Sequence, residues 1–375
     1  MNVAIVTNVI ASYRRGLYRC LLKSSKHRIH IFCQSHLPGF NLELIDHEFA
    51  EHVTLVPFWG RERGLVWQQL PLRHLWHEYD AYVFYGNPRV LSNVLWATLF
   101  RLLGRRVVIR GQAHSAGANA VTEWVRLLWW RLFDAILVYT DREAALLMEH
   151  GFAGKRVVGL NNGLDQQEIE RAKAAWPEEA LATWQAVRDL AGRPVLLSVS
   201  RLVPEKHFEF VLDALSRLVQ QFPNLVWCVV GDGSARADLE SRAGELGLDE
   251  HVRWLGAIYE ERDLAPWFLS SWALVHPGGI GLTLLHAFGY GIPVVVHDNV
   301  EDHWPEIAAF ECGRHGLSFS EGDVDAFCAA VSTLLTDENL RTQLGRNALQ
   351  VAQVEYNTDV MSERFLSIFG TGKQS

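Results

Sequence analysis

At 375 residues with 49% apolar content, the chain can fill two cores, which excludes a disordered protein. No uncharged apolar run reaches the roughly 18 residues of a spanning helix, and residues 2–10 form a β-like run without the basic start of a signal peptide. The formal net charge of −8 is unevenly spread. Residues 1–165 carry 19 Lys and Arg against 13 Asp and Glu, whereas residues 166–375 carry 16 against 30. This predicts two domains with different partners, the basic one facing something anionic. Five scattered cysteines without a CxxC pair predict buried free thiols and a reducing, cytoplasmic compartment.

In chain order, residues 3–7 read as a strand, 8–15 as a loop and 16–23 as the start of a helix. Strands follow at 29–33, 53–57 and 82–84, the last closed by Gly86, Asn87 and Pro88. Residues 91–103 form an apolar helix, 107–109 a strand and 111–117 a Gly-containing loop. A helix at 124–133, a strand at 135–138, a helix at 143–150 and a strand at 156–159 lead to Asn161, Asn162 and Gly163. The alternation predicts a doubly wound sheet. Residues 166–190 are charged and Ala-rich and predict one linking helix.

The alternation then restarts. Strands are predicted at 195–199, 226–230, 252–255, 274–275, 293–296 and 317–319. Helices are predicted at 208–221, 236–246, 264–271, 282–290 and 324–335, with a broken helical tail over 340–369. The stretch from Val275 to Glu306 organises this half. It reads strand, Gly turn, helix, Gly stop, strand. The helix start at Gly281, Leu282 and Thr283 aims free N–H groups and a positive dipole end into a Gly-lined space, which suits phosphate. Arg201 and Lys206 follow the strand at 195–199 and add two cations of the kind that grip phosphate. Pairing with Glu205 and Glu209 on a solvated face is the plainer alternative for both. Gly231 and Gly233 close another strand.

Together these pieces resemble the donor half of retaining glycosyltransferases of family 4. The matching runs are SVSRLVPEK, VVGDG, VRWLGAI and GIGLTLLHAFGYGIPVV, in order and spacing, with NNGLD at 161–165 as the hinge entry. The resemblance implies an α/β chain of GT-B fold, with two Rossmann-like doubly wound domains facing across a cleft. Residues 1–165 would be the acceptor-side domain, 166–190 a linker helix and 191–355 the donor domain. Residues 356–375 would be a C-terminal helix packing back on the first domain. It implies a metal-independent, hexosyltransferase-like enzyme without cofactor, using a nucleoside-diphosphate sugar as co-substrate. Arg201 and Lys206 would hold the diphosphate, with Gly231, Gly233, Gly279, Gly281 and the N–H groups of Leu282 and Thr283. Ala257 and Ile258 would read the base. Asp298 and Glu306 would line or support the sugar pocket. His114 would position the donor sugar from the acceptor side. Tyr13, Arg14 and Asn87 are the acceptor-side candidates.

The sequence departs from the family at one place. Most members carry two glutamates eight positions apart across this loop and helix, and those positions here are Gly278 and His286. Glycine cannot replace a carboxylate. His276, His297 and Asp298 are then the candidates for sugar recognition. His286 can hydrogen-bond a ribose hydroxyl, or point into the core with Leu285 and Phe288. In this the sequence resembles a subgroup lacking both glutamates, among transferases of surface polysaccharide synthesis.

Asp323 and Asp325 have the spacing of a metal motif, but Asp323 is better placed as a helix N-cap, so no metal is expected. Two aromatic, apolar segments, 94–103 and 124–131, read either as core helices or as a surface for an anionic membrane, with Arg beneath Trp. A lipid-linked glycan acceptor and peripheral membrane contact follow from the second. Nucleic acid is not an expected partner. A nucleotide-sugar epimerase, which needs a carboxylate pair, and a non-catalytic binding scaffold are the alternative functions.

Overall fold

The computed structural model describes residues 1–36, 44–60, 64–113 and 120–370. The chain forms two compact units. One comprises residues 1–162 and 358–375, and the other residues 163–357.

The first unit opens with β1 (Asn2–Val6), α1 (Arg15–Leu22), β2 (Arg28–Cys33) and β3 (Val53–Leu55). There follow β4 (Phe58–Gly60), β5 (Val66–Gln68), α2 (Leu72–Glu78), β6 (Ala81–Tyr85), α3 (Leu91–Leu102) and β7 (Arg106–Arg110). It continues with α4 (Ala120–Trp130), β8 (Ala135–Val138), α5 (Asp141–Leu147) and β9 (Arg156–Gly159). Seven strands form one sheet in the order β3-β2-β1-β6-β7-β8-β9, every pairing parallel. The central strands are buried along nearly their whole length, as parallel strands covered on both faces must be. Phe84, Ile109 and Trp130 fill one side of the sheet, and Ile5, Val83 and Leu17 the other.

The second unit contains α6 (Gln166–Ala174), α7 (Glu178–Val187), β10 (Val195–Val199), α8 (Phe208–Gln221), β11 (Val226–Val230), α9 (Arg236–Glu245) and β12 (Val252–Gly256). Then come α10 (Glu261–Leu269), β13 (Ala273–His276), α11 (Leu282–Gly289), β14 (Val294–His297), β15 (Gly316–Phe319), α12 (Val324–Thr336) and α13 (Glu338–Val354). Its six parallel strands run β12-β11-β10-β13-β14-β15. Successive residues of each strand enter opposite cores. Leu197, Cys228 and Leu274 pack on one side, and Leu196, Trp227 and Val275 on the other. The chain then returns to the first unit as α14 (Thr358–Ser367), whose Met361 and Phe365 pack with Leu17 and Tyr18.

Both parallel sheets match the expected fold class. Three local features differ from the sequence expectation. Residues 166–190 form two helices, because Pro177 caps α7 and cannot donate into a continuing helix. The antiparallel pair β4–β5 was not expected, since three residues per strand carry no readable alternation. The helix expected at 143–150 begins at Asp141, capped by Thr140 accepting from the Glu143 amide, and gives way to a wider turn after Leu147.

The turn after β11 is set by glycine. Gly231 has φ of 145°, and a Cβ there would lie 1.8 Å from the Ser200 carbonyl oxygen. Gly231→Ala is therefore expected to destabilise the protein by about 1–3 kcal/mol, through backbone strain and displacement of the 200–202 loop. Denaturant titration followed by Trp fluorescence checks this, and an unchanged midpoint would refute the constraint.

Candidate active site

β10 ends at Val199, and the loop beyond it is pinned on both sides. The Leu202 amide donates to the Asp232 carbonyl at 2.9 Å, and the Leu202 carbonyl accepts from the Ala235 amide at 2.9 Å. Gly233 permits this approach, since a Cβ there would sit 2.2 Å from the Leu202 carbonyl oxygen. Below the loop, Ser198 Oγ donates to the Val275 carbonyl and accepts from Trp227 Nε1. Arg201 is held between these anchors with its side chain exposed. Its guanidinium has no hydrogen bond or ion pair among the described residues.

Lys206 closes a single turn, Pro204–Lys206, and its Nζ donates to the Gly279 carbonyl. Burial, then the nearby Arg201 charge, push its pKa below the ordinary lysine value, against the opposing pull of Asp302 and Glu205. Neither cation forms an ion pair with Glu205 or Glu209. Glu209 lies 3.5 Å from His207 instead. The solvated-face alternative thus fails.

The same carbonyl edge meets the start of α11. Thr283 Oγ1 donates to the Val199 carbonyl at 3.0 Å, which fastens the helix start to the end of β10. The first amides of a helix have no partner within it, and Leu282 and Thr283 supply the first two here. Gly279 and Gly281 are tightly covered. A Cβ on Gly279 would lie 2.3 Å from the Asp302 carbonyl oxygen, and one on Gly281 3.3 Å from Trp304. A Cβ on Gly278 would lie 3.0 Å from Lys206 Cα and its carbonyl oxygen. Arg201, Lys206, Gly279 and Thr283 therefore converge through these contacts.

His286 faces neither the apolar core alone nor open space. Its Nε2 lies 2.7 and 2.9 Å from the two carboxylate oxygens of Glu261, at the first position of α10. Tyr290 Oη donates to the same carboxylate at 2.5 Å. Phe268 stacks on Tyr290 with ring centres 4.7 Å apart. Burial would raise the Glu261 pKa, but the charge and hydrogen bond of His286 and the hydrogen bond of Tyr290 outweigh it and hold it below the ordinary value. Burial, then the Glu261 charge, raise the Tyr290 pKa. Sequence reasoning missed Glu261. An acid in the first turn of a helix reads as an ordinary dipole partner.

Other candidates have plainer surroundings. Asp298 is exposed, and its carboxylate accepts from the Glu321 amide and Ser320 Oγ, holding the turn after β15. Glu306 is buried in the turn Pro305–Ala309. Ile258 packs against the core beyond β12, and Ala257 beside it is exposed. His276 Nδ1 donates to the Gly278 carbonyl, and burial, then the Lys206 charge, push its pKa down to about 3. His303 accepts from the Ile280 amide and donates to the His297 carbonyl, and burial pushes it down to about 4. Both rings are neutral at pH 7.

Among the described residues, His297, Asp302 and Glu321 bring three possible metal-ligand atoms within 4.8 Å of one another. Asp323 caps α12 through the Ala326 amide, and Asp325 pairs with Arg217 at 2.6 Å.

In the first unit, Tyr13 is exposed and Arg14 lies 5.4 Å from its ring centre and 5.3 Å from that of Tyr139. Asn87 accepts from the Arg89 amide and shapes the turn after β6. His114 lies outside the described residues. Its neighbour Ala113 is held by Glu143, which accepts from the Ala113 and Tyr139 amides at 2.8 Å each.

The Glu261–His286 contact has a pH signature. The folded Glu261 pKa is depressed, so its contribution to stability is full above its ordinary value of 4.5 and is lost as pH falls through the folded value. His286→Ala leaves the buried carboxylate with Tyr290 and is expected to cost about 1.5–3 kcal/mol near pH 7. The deficit relative to wild type should shrink below pH 4.5. Denaturation midpoints at pH 7 and pH 4 measure this, and a pH-independent deficit would count against an ionised Glu261.

Residues 183–351 match the family described as Glycosyl transferases group 1. The chain is 24% identical over 251 residues to the lipopolysaccharide core biosynthesis glycosyltransferase LpsE of Rhizobium meliloti, covering 66% of this chain and 67% of that protein. It is 31% identical over 186 residues to a GDP-mannose-dependent alpha-(1-6)-phosphatidylinositol monomannoside mannosyltransferase of Mycolicibacterium smegmatis. That match covers 47% of this chain, which spans about half the length of the relative. The fold is similar to the crystal structure of Anabaena Alr3699/HepE in complex with UDP, with a TM-score of 0.73 and 16% identity over 98% of this chain and 99% of that one. Residues 183–351, within the second unit, are thus similar to group 1 glycosyl transferases, and the chain shares the fold of the Anabaena protein.

Proposed function

We propose that the protein is a retaining, metal-independent glycosyltransferase. It moves a sugar from a nucleoside diphosphate to a hydroxyl of a glycan or lipid-linked glycan in surface polysaccharide synthesis. The observation that carries this is the pair Arg201 and Lys206, two cations that form no ion pair among the described residues, beside the first amides of α11. Such a cluster suits a diphosphate, whose charge grows as the bond to the sugar breaks. The bond from the anomeric carbon to the diphosphate oxygen breaks, the bond to the acceptor oxygen forms, and the acceptor proton passes to the leaving phosphate. No side chain is required as a base. The UDP and UDP-glucose held by the Anabaena protein support a nucleotide-sugar donor here. The part that LpsE takes in lipopolysaccharide core synthesis supports a surface-glycan product.

The first unit also supports contact with an anionic membrane. α3 and α4 bury Phe100 and Trp130 but expose Leu95, Leu99, Trp124 and Leu128, and Trp129 Nε1 joins the two helices through Thr98 Oγ1. Among the described residues, no helix is long and apolar enough to cross a membrane. A non-catalytic nucleotide-binding subunit is the second reading, and Gly278 favours it.

Purified protein assayed against a nucleotide-sugar panel separates these. Transfer or slow donor hydrolysis supports the enzyme, and binding without turnover supports the scaffold. Arg201→Ala should lower transfer by ~10²-fold or more with an unchanged melting temperature, the scale of removing one transition-state donor. Full turnover in that variant would remove the site. Transfer should also persist in excess chelator. Loss on chelation, restored by Mg²⁺ or Mn²⁺ and abolished by His297→Ala, would assign a metal to the His297 cluster.

A further inference from the structure

Within the first unit, a cavity of about 100 Å³ opens at the carboxyl ends of β1, β6, β7 and β8. Parallel pairing brings Val6 beside Phe84, Tyr85 beside Arg110, and Arg110 beside Leu137, so these strand ends share one edge. The cavity is lined by Asn8, Tyr13, Arg14, Tyr85, Arg110 and Tyr139 among others, and among the described residues none that lines it is acidic. Arg110 is 7% exposed. Its guanidinium has no hydrogen bond or ion pair among the described residues. A charge buried in this way is costly unless paired. Arg14, which also lines the cavity, stands above the Tyr139 ring and donates to Asn162 Oδ1 at 3.3 Å. Burial, then Tyr85, raise the Tyr139 pKa, against the pull of Arg14 and Arg110, so its phenol remains a donor at neutral pH.

We propose that this cavity binds a phosphate group of the acceptor, gripped by the Arg110 guanidinium and completed by Arg14 and the surrounding tyrosine hydroxyls. Several reasons favour phosphate. The Arg110 guanidinium and three phenols already offer more donors than a planar carboxylate can accept from. The cavity, about 100 Å³, has room for a phosphate group. The phosphate can sit on a glycan residue or on a lipid carrier, and the recognising chemistry is the same. The identity of the ligand as acceptor rests on the glycosyltransferase reading. The binding of phosphate does not.

Calorimetry on the full chain tests this with glucose 1-phosphate, farnesyl diphosphate and, as the neutral control, glucose. Wild-type protein should bind at least one phosphorylated probe and not glucose. Arg110→Gln should weaken that binding by about tenfold or more and leave UDP affinity unchanged, as loss of a charge-assisted fork implies. Binding of glucose 1-phosphate places the phosphate on the glycan, and binding of farnesyl diphosphate alone places it on the lipid. Arg14→Gln, at a more exposed position, should weaken the same probe in the same direction and covers a misfolded Arg110 variant. The proposal is overturned if neither probe binds, if both Arg variants bind the probes like wild type, or if Arg201→Ala rather than Arg110→Gln abolishes their binding. Phosphate binding that depends on Arg110, in a protein that transfers no sugar, would keep the cavity and remove the glycosyltransferase reading instead.

Discussion

Two cations stand at the end of β10 with no ion pair to either among the described residues, and much of the second unit serves to keep them there. Lys206 is partly withdrawn from water and lies close enough to Arg201 for its proton affinity to fall. Left to itself, such a pair would separate or recruit an acid. It does neither, because its supports are backbone groups and buried hydroxyls. Lys206 is tied to the Gly279 carbonyl, Thr283 ties α11 to Val199, and Ser198 ties β10 to β13. Gly231 and Gly233 let the neighbouring turn close on the Arg201 loop at distances no other residue permits. A site held by backbone does not relax when its charges repel, so the repulsion is available to an anion.

The same tight packing gives a physical reason for the absent carboxylate at Gly278. A Cβ there would press on the backbone of Glu205 and Lys206 at 3.0–3.1 Å. A side chain at 278 therefore needs this loop to give by a few tenths of an ångström. Negative charge is nevertheless present along α11. Glu261 brings it from α10, fixed by His286 and Tyr290. His286 is thus paired with a carboxylate from another element.

What was legible in the sequence follows from how local each signal is. Apolar parallel strands, Gly turns and the strand-end position of Arg201 and Lys206 are written in consecutive residues. Both sheets, and the place of Arg201 and Lys206 just beyond a strand end, could be read from them. Glu261 and His286 are 25 residues apart on separate helices, and nothing in either neighbourhood points to the other. Arg110 ends a β-branched run and reads as a strand terminus. Its importance comes from β1, β6 and β8, which converge on it only in the fold. Asp298 was a sugar-pocket candidate by position, yet its oxygens are taken by Ser320 and Glu321. Pro177 was visible in the sequence, and its consequence for the linker should have been read.

The two units repeat one architectural rule with different chemistry. In each, an arginine follows or ends a central strand at the carboxyl edge of a parallel sheet, where ligands of such folds gather. In the second unit the arginine is exposed, and its companions are a lysine and the amides of a helix start. That arrangement is open and suits an extended, multiply charged diphosphate. In the first unit the arginine is buried, its companions are phenols, and the space is closed down to about 100 Å³. That arrangement suits one compact anionic group at the end of a larger molecule. A guanidinium in a closed pocket gains more from its anion than one in open water, because less solvent screens the pair. It also discriminates more sharply against a neutral ligand, which would leave the buried charge unpaired. Selectivity for what enters the first unit therefore rests on burial of Arg110, while the grip on what enters the second rests on the number of donors around Arg201.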